Sequence, residues 1–165
     1  MNVILIGGIF CCFVFVGVVI YRTYHARKVY FECLVRFCDA LVVEIGFSKR
    51  TIAQVIDGFV ADMGCNSPFR DDILGYKNLL EYNQDITRER IVLWDKLKPN
   101  EARGVVDFLL ELGRHSVTEE LEKIGKARAR FEFNRAEATD KLKKEASIYL
   151  KISIIIGIGV VILLL

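Results

Sequence analysis

The chain has 165 residues, 53% of them hydrophobic, and a formal net charge of +2 from 23 basic and 21 acidic side chains. That near-balance advertises no nucleic-acid-binding face, and the length suits one ordinary domain. Every charged residue lies between Arg22 and Lys151, which excludes an ordinary soluble fold, where apolar residues are interleaved with polar ones at helix or strand period.

The first element is an apolar run from Val3 to Ile20, about 27 Å long as a helix at ~1.5 Å per residue. That nearly matches a hydrocarbon core of about 30 Å, with Tyr21 and Tyr24 suited to the interface. A cleaved signal peptide would want basic residues before the run and a small-residue cleavage site after it. Met1-Asn2 offers no side-chain charge, and Arg22, His25, Arg27 and Lys28 follow instead. The segment is therefore expected to be an uncleaved anchor with its C-terminal side in the cytoplasm.

Beyond the anchor, no apolar/polar alternation bounded by hairpin turns occurs, and helical spacing recurs instead. Leu34, Phe37, Cys38, Leu41, Val42 and Ile45 extend the first helix to about Ile45, with Gly46 as its stop. Thr51 and Gln54 form a capping box, followed by a stripe of Ile52, Val55, Ile56, Phe59, Val60 and Met63. Gly64-Cys65-Asn66 breaks that helix. Ser67-Pro68 opens the next as N-cap and first-turn proline, with Asp71 and Asp72 suited to the dipole of its first turn and Phe69, Ile73, Tyr76 and Leu80 on its core face. A fourth, shorter helix is expected from near Thr87 to Leu97 through Ile91 and Trp94. Lys98-Pro99 resets the chain, and a fifth helix runs to Leu112 through Val105, Phe108 and Leu109.

Gly113 ends that helix, and Ser116 with Glu119 forms a second capping box. From Val117 the chain reads as one unbroken helix to Leu165, with glycines tolerated at 125, 157 and 159. Glu119–Lys123, Glu122–Lys126, Glu137–Lys141 and Asp140–Lys144 stand at i, i+4, each pair worth about 0.2–0.5 kcal/mol. Leu121, Ile124, Phe131, Ala138 and Leu142 are its sparse apolar positions. Ile152 to Leu165 spans only about 21 Å, so the second anchor is extended back to Ser147, with Lys151 snorkelling to the headgroups. Lys141, Lys143 and Lys144 again put the basic flank on the polar side. Both termini are thus expected outside and the body in the cytoplasm, divided as residues 1–21, 22–146 and 147–165. Gly7 and Gly8 precede Cys11 and Cys12 by four, and Ser153 precedes Gly157 by four. Such spacing lets helices approach in lipid, so Gly7, Gly8, Ser153 and Gly157 are candidates for packing the anchors, within one chain or in a homo-oligomer.

No chemistry-bearing constellation emerges. The five cysteines include no CxxC, and Cys33 and Cys38 are badly spaced for one metal. His25 lies in the basic flank and His115 in a turn, neither with a ligand at metal spacing. P-loop, G-x-S-x-G and HExxH motifs are missing. The expectation is a protein without catalytic, cofactor or metal site, acting on a lipid bilayer and on other proteins.

The tract Phe108-Leu-Leu-Glu-Leu112-Gly113-Arg-His115-Ser116, followed by Glu120 and Ile124, is similar to the stage III sporulation protein AB family, a relative of the inner-membrane platform protein F of type II secretion systems. Phe108, Leu112 and Gly113 match that family's pattern. Ser116 stands where Asp is usual, preserving the N-cap, and Glu120 where Gln is usual. The resemblance also covers the overall layout of apolar ends and a helical middle. It implies an all-α fold, a cytoplasmic antiparallel bundle of about six helices between two transmembrane helices, like the secretion F domain. It further implies residence in the mother-cell membrane around the forespore, within a secretion-like channel complex. The implied partners are the stage III sporulation AA-type ATPase and other membrane components of that channel. The competing reading is a generic coiled-coil membrane scaffold. It requires sustained heptads, which Arg128 and Arg135 interrupt.

Overall fold

The computed structural model describes residues 2–47, 50–62, 67–82 and 86–164. Six α-helices follow in chain order: α1 (Asn2–Phe47), α2 (Ile52–Asp62), α3 (Pro68–Glu81), α4 (Pro99–Glu111), α5 (Val117–Lys141) and α6 (Ser147–Leu164). A π-helical segment, Leu142–Ala146, joins the last two. Among the described residues there is no strand. The expected break at Gly64-Cys65-Asn66, with Met63, lies outside them. Two units separate: residues 29–135, and residues 1–28 with 136–165. The stretches 22–28 and 136–146, read from sequence as part of the polar body, cluster with the apolar ends.

The unit of residues 29–135 is built on an aromatic core. Tyr30, Phe31, Leu34, Phe37, Cys38 and Leu41 of α1 are fully enclosed, and each aliphatic or Phe side chain so buried contributes roughly 1.5–3 kcal/mol. Tyr30 meets Phe69 edge-on at 5.4 Å, and Phe37 meets Phe59 at 5.2 Å and Phe69 at 5.9 Å. The buried stripe of α1 differs from the expected one at its end, since Val42 is exposed. Gly46 is also not a stop: the helix runs through it to Phe47. The two N-terminal signals on α2 and α3 form as chemistry dictates. Thr51 N–H donates to the Gln54 side chain at 3.1 Å, Gln54 N–H donates to Thr51 Oγ1 at 3.4 Å, and Ser67 Oγ accepts from Phe69 N–H at 3.4 Å.

The expected helix at 87–97 does not form. Turns at 88–90 and 95–97 flank an irregular strap. A helix would give the Trp94 N–H to the Arg90 carbonyl. Asp72 Oδ2 accepts it instead at 3.0 Å, together with the Tyr30 hydroxyl at 2.8 Å. The Trp94 ring stacks on Tyr30 at 5.9 Å, and Ile91 and Leu97 are buried. Adjacent β-branched Ile91 and Val92 weaken the helical alternative further. The described residues of 29–135 therefore form five helical segments and a strap.

In the other unit, α1 and α6 run antiparallel. A Cβ on Gly17 would stand 2.9 Å from Ser153 Cβ, and one on Gly157 would stand 3.0 Å from the Phe10 ring. Ser153 and Gly157 thus face the first anchor, whereas Gly7 and Gly8 have open space. Tyr24 donates to Glu145 at 3.0 Å, and buried Arg27 lies 3.9 Å from Glu137. The expectation of one α-helix after Val117 is corrected by the π segment. The buried apolar positions from Val117 to Ala146 are Ile124, Phe131, Ala138 and Ala146, so a seven-residue spacing lengthens by one residue. A single i→i+5 turn absorbs that insertion and keeps the face inward.

Candidate functional site at the α4–α5 turn

Lys98 and Pro99 start α4, and Glu101, 2% exposed, caps it by accepting the Lys98 N–H at 3.1 Å. The helix then buries Val105, Phe108 and Leu109. It ends because Gly113 takes φ +79, a conformation that penalises any Cβ. A side chain here would also have to displace the end of Ile52, since its Cβ would lie 2.5 Å from Ile52 Cδ1.

Two buried side chains replace the backbone bond that this turn gives up. In a continuing helix the Gly113 N–H would meet the Leu109 carbonyl. Instead, Glu120 Oε1 accepts the Gly113 N–H at 2.8 Å, and the Tyr76 hydroxyl donates to the Leu109 carbonyl at 2.8 Å. Burial pushes the Tyr76 phenol up to about 12, against a smaller opposing effect of Arg114, so it remains a donor. Glu120 is 4% exposed, and its Oε2 has no hydrogen-bond partner among the described residues. A buried acceptor left in that state costs about 1–3 kcal/mol, more when charged.

The start of α5 departs from the expected reciprocal box. Ser116 donates both its N–H and its hydroxyl to Glu119 Oε2, at 3.4 and 3.0 Å. Glu119 is therefore not the partner of Lys123. The Lys123 ammonium bridges Glu111 Oε2 at 3.1 Å and His115 Nε2 at 2.6 Å, and His115 must accept because an ammonium has no lone pair. The other three i, i+4 pairs, Glu122–Lys126, Glu137–Lys141 and Asp140–Lys144, do form. Arg128, which interrupts the heptads, reaches Asp39 of α1 at 2.5 Å. That face of α5 is engaged inside its own chain.

A groove of roughly 400 Å³ opens between α4 and α5 beside this turn. Phe108, Ile124 and Phe131 line it, the two rings edge-on at 5.4 Å. Asp107 and Glu111 stand along α4, Lys126 and Arg130 along α5. Arg130 lies flat against Gly104, where a Cβ would come within 2.6 Å of its guanidinium carbon. Asp107 is tied to Arg88 of the strap at 2.5 Å.

Of the residues singled out from sequence, the turn brings Phe108, Leu112, Gly113, His115, Ser116 and Glu120 into one neighbourhood. Phe108, Leu112 and Glu120 are buried, and the other three are exposed. From sequence, Glu120 enters only as the residue standing where the family resemblance usually has Gln. Its position four residues before buried Ile124 was the signal that it turns inward. The contributions of Tyr76 and Ile52 had no such signal, because both arrive from distant elements.

The model of the family described as stage III sporulation protein AB matches residues 2–165. The chain belongs to that family. No curated protein and no solved structure gave a significant match. The match to this sporulation family takes in the body and both apolar ends. Those ends are two helices long and apolar enough to cross a membrane, with only 6% and 11% of their most apolar windows buried. A core helix of a soluble protein would be mostly enclosed.

Proposed function

We propose that this stage III sporulation AB protein is a membrane-anchored platform of a secretion-like channel needed for endospore formation. Its body faces the cytoplasm of the mother cell, both termini lie across the membrane, and it passes nucleotide-driven motion of an AA-type ATPase to membrane components of the channel. The role is mechanical. The observation that carries the reading is the family match across the polar body and both apolar helices. Kinship with the secretion platform protein F, drawn from the Leu112-Gly113 tract, supports a bundle used as an adaptor. Basic residues beside each apolar segment, Arg22 to Lys28 and Lys141 to Lys144, support the orientation.

The decisive experiment reconstitutes the full chain in lipid nanodiscs and titrates the AA-type ATPase against it, with and without nucleotide. Saturable binding and a changed ATPase rate are expected. Absence of binding under every nucleotide condition would remove the coupling role.

A further inference from the structure

Among the described residues, three acids of the helical body are buried, and two of them have their donors. Asp72 takes Tyr30 and Trp94, and Glu101 takes the Lys98 N–H. Glu120 Oε2 has none among the described residues, although three cations line the same groove. Lys123 is committed to Glu111 and His115, Lys126 to Glu122, and Arg130 to the Asn100 carbonyl. None of the three donates to Glu120 Oε2.

We propose that the α4–α5 groove is the docking site for a partner-protein segment that delivers an arginine side chain to Glu120. The lining supports this occupant. An arginine stem is apolar and its head charged, which fits a wall of Phe108, Ile124 and Phe131 beside a buried carboxylate. The guanidinium fork carries several N–H groups, enough for Oε2 and for the rim carboxylate of Glu111. A bare metal ion fits poorly, because no group of three ligating side chains exists among the described residues. Of the cations lining the groove, Lys123 is nearest to Glu120 in sequence, and its ion pair lies at the surface. Its partner Glu111 is 59% exposed, and pairs of that kind hold weakly. Phe133, 70% exposed and three residues beyond Arg130 on α5, offers the same segment an apolar contact. The inference rests on the platform reading only for the identity of the partner.

The test uses the full chain in nanodiscs, with a fluorescent peptide of sequence Ala-Leu-Arg-Leu-Ala and a twin carrying citrulline in place of arginine. The arginine peptide should bind saturably, and Glu120→Gln should weaken it about tenfold or more. Gln retains an acceptor for the Gly113 N–H, so circular dichroism should be unchanged, and exposed Glu119→Gln should bind as the parent does. Equal binding by Glu120→Gln, equal binding of the citrulline twin, or no binding of the arginine peptide would overturn the site. Should the ATPase bind the parent while the arginine peptide does not bind, the inference fails and the platform reading stands. If the peptide binds as expected but the ATPase does not bind at all, the site stands and the platform reading fails. Self-association of the chain that Glu120→Gln abolishes would assign the arginine to a second copy and overturn a separate partner.

Discussion

Asp72 lies just past the first turn of α3 and Glu120 in the first turn of α5, positions whose spacing alone suits the helix dipole. Each turns inward instead, and each bonds a backbone N–H that a regular helix would have used. Asp72 is desolvated, which raises its pKa, and the donors Trp94 and Tyr30 only partly offset this. Its folded value therefore lies above an unfolded value near ~3.9, and the folded protein holds the proton more tightly. Stability from this group is full at low pH and is lost as pH rises through the folded pKa. Asp72→Asn removes the titration and keeps an amide oxygen for Trp94. Its stability relative to the parent is expected to climb as pH rises from about 4 towards neutrality, measured by urea unfolding in mild detergent. A difference that does not change with pH would show that Asp72 carries no titration-linked cost.

At the scale of elements, the helix starts were legible because their chemistry is local: Thr51 with Gln54, and Ser67 with Pro68, need only their own turn. The strap at 87–97 was not legible, since its apolar spacing also suits a helix and its competitor, Asp72, is distant in sequence. The π segment lay between these cases. Its cause is the eight-residue step from Ala138 to Ala146, visible in sequence only once both are known to be buried. Deleting exposed Lys143 would restore a seven-residue step and let 142–146 relax into α-helix. The variant should keep parental helicity and thermal stability in micelles. Deleting Glu132, upstream of Ala138, should lower the melting temperature by shifting Ala138 and everything after it off the buried face. Equal behaviour of the two deletions would refute the insertion account of the π turn.

For the whole molecule, charge segregation was the most readable feature, because lipid and water select residue types without reference to any partner. It supports the two-anchor topology on which the platform reading depends. A reporter active only in the cytoplasm, inserted beside Gly113, should give signal, and the same reporter fused after Leu165 should give none. Signal from both positions would discard that topology. The chain has a single tryptophan, and Trp94 is stacked on the phenol of Tyr30 and anchored through its own backbone to Asp72. Its intrinsic fluorescence is thus an unlabelled gauge of whether residues 87–97 stay seated while the protein is titrated, heated or handed to other molecules.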